Sequence, residues 1–308
     1  MKGRGPPLSP NALSERSYLL THGRSSYYCV VSKYEDVSII LVGGKRHGCV
    51  EIHVSRQGKK LEGLLSSLSY DQRCNVQGDM VKGVGTISML RAAITFAFKL
   101  GVSYIILKDQ STFDCGRAGG SAIDLPSIYI AKHGMTWYTK TVQAKPIDDV
   151  VRIAIENFAK ACQSPLPDFN KFWDQHIAMW FASRRRGDDG SAIKARLREH
   201  WQKDSCKTMQ DMLRAMPHNE CDLLQKWFAA WFVSVCHLNL AEAEFEISPG
   251  DFVTIALDVK DSQFPYGDTY SVVRQRKQNM QDKLKYLDYK GGCRPRALRF
   301  SVGTMADF

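Results

Sequence analysis

Between Asp79 and Thr86 the chain reads Asp-Met-Val-Lys-Gly-Val-Gly-Thr, and Gly83 and Gly85 are the residues whose spacing suits chemistry. Two glycines at alternate positions strip side chains from a bend, so that several amide N–H groups can point at one anion. The stretch behind the bend is helical. Ile87, Leu90, Ile94 and Ala97 recur at helical spacing, Met89, Ala93, Phe96 and Leu100 widen the stripe, and Ser88, Arg91, Thr95 and Lys99 are left for solvent. A helix starting there adds the positive end of its dipole to the amides. Val81, Lys82, Gly83, Val84, Gly85 and Thr86 are therefore the candidate binding residues, and phosphate is the anion such a seat takes.

The elements that would hold this bend follow from the same reading. Gly101 stops the helix, and Tyr104-Ile105-Ile106-Leu107 is short, apolar and rich in strand formers, which predicts an inner strand. Upstream, Tyr27 to Val31, Val37 to Val42, Gly48 to Ser55 and a stretch around Leu64 to Tyr70 are strand candidates. In the third, Val50, Ile52 and Val54 alternate with Glu51, His53 and Ser55, as in a half-buried antiparallel strand. Residues 1–24, with four glycines or prolines in the first seven positions, are expected to be a flexible arm, with order beginning at Ser25. Downstream, Gln110 to Ala122 reads as a loop. Asp124 is placed to cap a short helix carrying Pro126 in its first turn and running to His133 and Gly134, and Trp137-Tyr138 reads as a strand.

A turn of the form Gly-Val-Gly-Thr, a helix of about four turns, a Lys-Leu-Gly stop and an apolar strand resemble the coenzyme-binding segment of the GCN5-related N-acetyltransferases. In that family the turn's amides hold the pyrophosphate of acetyl-coenzyme A. The position where the family carries Gln or Arg is Met80 here. The resemblance covers about residues 25–145 and implies acetyl transfer to an amine. Family members commonly carry a Tyr on the helix after the strand, followed by Gly and an aromatic, which protonates the departing thiolate; Tyr129 with Gly134 is similar to this, one residue longer in spacing. The other reading of Tyr129 is a core residue bonded to backbone through its hydroxyl. For the general base the resemblance points to Glu51, with Asp71 and His53 nearby in sequence order, each of which also reads as a surface group. Gly-Met-Thr-Trp-Tyr resembles a segment of divergent members from large DNA viruses.

The last part of the chain has another character. Asp168 to Ala182 sets Phe169, Phe172, Trp173, His176, Met179 and Trp180 on one helical face, and Leu223 to Leu240 repeats the habit with Leu224, Trp227, Phe228, Trp231, Phe232 and Val235. Ile193 to Met216 is a charged amphipathic stretch broken near Ser205; a strand pair around Phe252 to Val259 and a helix from Ser271 to Leu287 complete the set. The expected fold class is α+β: a mixed sheet with flanking helices over 25–145, then a mainly helical domain with a small β element over 146–308. That domain can present a surface to a protein partner or simply bury its aromatics.

The formal net charge is +10. Arg184, Arg185 and Arg186, and a basic stretch from Arg274 to Arg299 with Tyr286, Tyr289 and Phe300 interleaved, suit phosphates and unpaired bases, so nucleic acid is a candidate partner beside acetyl-coenzyme A. A solvated basic face would look the same. No run of eighteen apolar residues offers a membrane span, and nine cysteines without a disulfide framework point to an intracellular, reducing setting: cytoplasm, nucleus or virion. Cys206, His218, Cys221, Cys236 and His237 lack the close pairs of a zinc site, so no metal is expected. Walker-type, nucleophile-elbow and dinucleotide motifs are missing as well. Two functions survive: an acetyl-coenzyme A-dependent N-acetyltransferase, or an inactive scaffold of the same fold whose helical, basic half binds protein or nucleic acid.

Overall fold

The computed structural model describes residues 12–44, 48–69, 73–77, 84–109, 111–113, 123–182, 190–216, 220–236, 240–262 and 300–301. Its elements run β1 (Ser14–His22), β2 (Ser25–Lys33), β3 (Val37–Gly43), β4 (Gly48–Gln57), β5 (Lys60–Leu68), α1 (Val84–Lys99), β6 (Tyr104–Lys108), β7 (Ser111–Phe113), β8 (Ile123–Asp124), α2 (Leu125–His133), α3 (Trp137–Val142) and β9 (Lys145–Pro146). They continue α4 (Asp149–Gln163), α5 (Phe169–His176), α6 (Ala178–Ala182), α7 (Ser191–Trp201), α8 (Met209–Ala215), α9 (Cys221–Cys236), β10 (Glu244–Ile247) and β11 (Asp258–Asp261). The chain is thus mixed α and β. It divides into two compact units, Met1–Leu107 with Ile247–Phe300, and Lys108–Glu246 with Ser301–Phe308. The chain leaves the first unit after Leu107 and returns to it after Glu246.

In the first unit the strands lie in the order β11-β1-β2-β3-β4-β5-β6. All neighbours are antiparallel except β5 and β6, which pair in parallel as Glu62↔Tyr104, Gly63↔Ile105 and Leu64↔Ile106. Parallel neighbours need a crossover, and α1 is that crossover. It packs on β1, β3 and β4 and buries Met89, Leu90, Ala93, Ile94, Phe96 and Ala97 of the stripe read from the sequence, but also Thr95, expected to face solvent, while Leu100, expected in the stripe, is exposed past the helix end. Gly101, at φ +90, ends it: Gly101 N–H donates to Phe98 O at 3.0 Å and Val102 N–H to Ala97 O at 3.2 Å. This pair of bonds satisfies carbonyls that a plain helix end leaves open, and it turns the chain straight into β6.

The expected flexible arm is corrected in its second half. Ser14–His22 is a full strand, in register with β2 from Ser14↔Lys33 to His22↔Ser25 and with β11 from Tyr18↔Asp261 to Thr21↔Asp258. The prolines stop at Pro10, and Tyr18, Leu19 and Leu20 carry enough apolar surface to join the sheet, with Leu20 fully buried. β5 also sits earlier than expected, at Lys60 to Leu68 rather than from Leu64. The cysteine reading needs amending too: Cys49 in β4 is bonded to Cys74, 25 residues on, with their Cα atoms 5.9 Å apart. Spacing in sequence carries no hint of that pair, because it is the sheet that brings them together. Val76 N–H to Ser26 O at 2.7 Å and Ser26 N–H to Gln77 O at 3.1 Å pin the same segment against β2.

The second unit is mainly helical around an aromatic core. Phe158 of α4 meets Trp231 and Phe232 of α9 at centroid distances of 5.1 and 4.8 Å, and Phe172 of α5 meets Trp201 of α7 at 4.5 Å. The single aromatic face expected over Asp168 to Ala182 is split. The helix stops at Ile177 and restarts as α6, which resets the phase, so Phe181 is buried while Met179 is 80% exposed. The break near Ser205 is present between α7 and α8. Of the expected strand pair at 252–259 only Asp258–Asp261 is a strand; the expected helix over 271–287 lies outside the described residues.

Candidate functional site

Of the expected anion seat only the helical side falls within the described residues. Val81, Lys82 and Gly83 lie outside the described residues; Val84 opens α1 and is exposed, while Gly85, expected in the bend ahead of the helix, is instead the second residue of α1 and buried, and Thr86 is half-buried. Glu51 lies on β4 in the alternation read from the sequence, with Val50, Ile52 and Val54 buried and Glu51 and His53 half-buried. Its carboxylate takes a hydrogen bond from His53 Nε2, two residues on along the same strand face. Opposite Glu51 the β4–β5 register slips from Glu51↔Ser67 to Ile52↔Leu65, which leaves Ser66 as an extra residue on β5. A bulge of this kind bends its strand and frees backbone groups from the ladder. Asp71 lies outside the described residues.

Tyr129 belongs to the second unit and is set there by a well-capped helix. Asp124 accepts the Ser127 N–H at 3.2 Å and also the Ser127 hydroxyl, Pro126 occupies the first turn, and Gly134 at φ +80 closes the far end by donating to Ile130 O at 2.7 Å. That is the helix expected from the sequence. The Trp137-Tyr138 strand is not: α3 runs Trp137–Val142, started by Thr136, whose Oγ1 accepts Thr139 N–H at 3.1 Å. A cap and a Thr141 hydroxyl bonded to Trp137 O at 2.7 Å override the strand preference of Trp and Tyr.

Around Tyr129 the structure gathers side chains that the sequence reading did not select. The His133 ring lies 4.2 Å from the Tyr129 ring, one helical turn on, and Lys140 Nζ of α3 stands 5.8 Å from the Tyr129 ring centre. Arg214 of α8 donates through Nε to Lys132 O at 2.8 Å, and Gln210 reaches Ala131 O at 3.5 Å. Burial, then the charges of Lys140, Arg214 and Lys132, hold His133 down at about 4, so its imidazole is neutral at physiological pH. Lys132 is itself buried, and its ammonium is pushed below the ordinary lysine range. Tyr129 and His133 at i and i+4 were a legible signal. Arg214, some eighty residues away in sequence, left none.

No family model, curated protein or solved structure matches this chain. The chemistry must be argued from its own residues.

One further group in the second unit is acidic. Asp109, the first residue after β6, is 3% exposed and accepts both the hydroxyl of Ser111, at 2.5 Å, and its N–H, at 3.3 Å. Burial raises its pKa to about 6; burial and the Asp109 charge raise that of Asp124 to about 7. The β7–β8 pairing, Thr112↔Asp124, is what brings this second carboxyl near the first. Burial, with the Asp109 charge, also lifts Tyr138 well above the ordinary phenol range. Among the described residues no group of three His, Cys, Asp or Glu side chains is arranged to hold a metal, and no helix is long and apolar enough to cross a membrane. The arginine triplet at 184–186 and the basic stretch from 274 to 299 lie outside the described residues.

Proposed function

We propose that this chain binds acetyl-coenzyme A and transfers its acetyl group to an amine, through a core resembling the GCN5-related N-acetyltransferases. The observation that carries the reading is the parallel pair β5–β6. Its register ends at Leu64↔Ile106 although the strands run on to Leu68 and Lys108, and the Ser66 bulge bends β5 just beyond that point. Ligands of open sheets sit beyond the carboxyl ends of parallel strands, at the start of the crossover helix, where amides and helix dipole favour phosphate. Here that helix is α1, whose first turn holds Val84, Gly85 and Thr86.

In this reading the amine nitrogen attacks the acetyl carbonyl carbon, the C–S bond breaks, and the amine proton passes to a base, for which Glu51 with its partner His53 is assigned. The resemblance assigns the proton for the coenzyme thiolate to Tyr129, a residue of the second unit. Calorimetry on the full chain tests the first requirement. Micromolar binding of acetyl-coenzyme A is expected, weakened about tenfold or more in Val84→Glu, equivalent to at least about 1.4 kcal/mol. Val84 is exposed in the first turn of α1, where an acidic residue favours the helix, so unchanged melting with lost binding would locate the phosphates at the turn. Absence of any heat with the wild-type chain overturns the reading.

A further inference from the structure

Residues 73–77, between β5 and α1 in the first unit, are held against the sheet at successive positions. Cys74, fully buried, is bonded to Cys49 of β4, itself 1% exposed. Val76 packs on Tyr28 and Val30 of β2. Val76 N–H donates to Ser26 O and Ser26 N–H to Gln77 O, which closes an antiparallel bridge with the start of β2. Gly44, just past β3, is the seat beneath. A Cβ there would overlap the Arg73 carbonyl oxygen and lie 3.0 Å from Asn75 O, so glycine alone leaves room for this backbone to pass.

The consequence of this fixing lies further along the chain. Residues 78–83 join Gln77, pinned to β2, to Val84, which opens α1 where it packs on β1, β3 and β4. If 73–77 lifts, the next fixed residue back along the chain is Ser69, whose N–H donates to Cys49 O at 2.7 Å. The span between fixed ends then grows from residues 78–83 to residues 70–83. Loop-closure entropy rises as three-halves of the logarithm of length, so ordering the longer span around a ligand costs about three- to fourfold in affinity.

We infer that residues 73–77 are a redox-latched strap that sets the affinity of the phosphate seat: closed by the Cys49–Cys74 bond, they fix the near end of the span that carries Gly83, and opened by a dithiol they release it. The inference rests on the acetyl-coenzyme A reading above. In the opening step one thiolate of the dithiol attacks a sulfur of the pair and the Cys49–Cys74 bond breaks. The second thiolate then displaces the remaining cysteine from the mixed disulfide; both cysteines take up the protons the dithiol gave up, and the dithiol leaves as its own disulfide. Both sulfurs are buried, so attack requires the strap to lift. Gly44, Cys49 and Cys74 are positioning residues, acting on the seat through the chain.

The test follows thiol release from the oxidised full chain by a trialkylphosphine, with and without acetyl-coenzyme A, beside calorimetry of both redox forms at a temperature where circular dichroism shows the reduced chain folded. The phosphine spares the thioester; with water and the disulfide it gives thiols and phosphine oxide. The reduced chain is expected to bind acetyl-coenzyme A about three- to fourfold more weakly. By reciprocity, saturating coenzyme should slow thiol release by that same factor and no further. Gly44→Ala, with the bond intact, is expected to speed release about tenfold or more without ligand, because the added methyl group presses on backbone. Should that variant not fold, the wild-type arms decide. Protection that keeps growing with coenzyme concentration would show that the bond opens only in the unfolded chain, and overturns the strap. Equal affinity before and after reduction overturns it too. No binding by either form overturns the acetyltransferase reading itself, and the control of its seat falls with it.

Discussion

Tyr18 of β1 packs its ring on that of Phe96 of α1, with centroids 5.1 Å apart and planes at 57°. Tyr18 is also the cross-strand partner of Cys29, so this contact ties the first strand of the chain to the crossover helix over one face of the sheet. Phe96 is 2% exposed. Phe96→Ala is expected to cost about 3–5 kcal/mol of unfolding free energy by urea titration, the range for a buried Phe, and Tyr18→Ala clearly less because Tyr18 is only half-buried. Equal losses from the two would mean that the ring pair, and not burial, sets the energy.

The bond between Cys49 and Cys74 should be intact in protein purified without reductant. It closes a 25-residue separation and anchors the segment that leads toward the glycine turn. On chain-entropy grounds its removal costs about 3.5 kcal/mol. Melting with and without dithiothreitol, beside the double change Cys49→Ala with Cys74→Ala, measures it. If the variant melts where the untreated wild type does, the bond is not formed in solution. Cys29, Cys162, Cys206 and Cys236, which form no disulfide, are all buried and should resist alkylation until unfolding.

Local rules made most of the first unit readable. α1, its Gly101 stop, β6 and the alternation of β4 follow from period and punctuation over a dozen residues, as does the Asp124 cap with Pro126 and Gly134. The misses share a cause. β1 is held by β2 and β11, Cys49 is joined to Cys74 by the sheet, and Arg214 arrives at α2 from α8. None of these leaves a periodic trace, because pairing partners far apart in sequence are chosen by tertiary packing. Trp137-Tyr138 failed differently: two residues with strand preference were outvoted by a single threonine cap. Tyr129 was legible as a candidate, but the cations that give its surroundings a sign were not.

Two ionisable groups of opposite habit predict opposite slopes of stability with pH. Asp109 is raised on folding to about 6, so between the unfolded value of 3.8 and about 6 the native state binds the proton more tightly. Stability therefore falls as pH rises through that window, by on the order of 3 kcal/mol for a shift of about two units. Asp109→Asn should flatten the fall and be the more stable protein at about pH 7.5, with the two nearly equal at about pH 4. His133 is lowered to about 4, so the unfolded chain binds the proton more tightly between about 4 and 6.5 and stability rises with pH there. His133→Gln should remove that rise. Urea midpoints across the range decide both, and slopes of the reverse sign would sink the assignments.

Tyr27 lies fully buried in β2, and among the described residues its hydroxyl meets no hydrogen-bond partner. The ring itself is well placed, since Tyr27 sits opposite Leu20 in the register and shares the β2 face of Cys29, the face on which Tyr18 meets α1. A desolvated hydroxyl without an acceptor costs about 1–3 kcal/mol, while the ring's burial is retained when only the oxygen is removed. Tyr27→Phe should therefore leave stability unchanged or raise it by about 1 kcal/mol, where the same change at a bonded tyrosine lowers it by a similar amount. Urea unfolding of the single variant settles the sign. A loss of about 1 kcal/mol or more would mean that the hydroxyl finds an acceptor in solution.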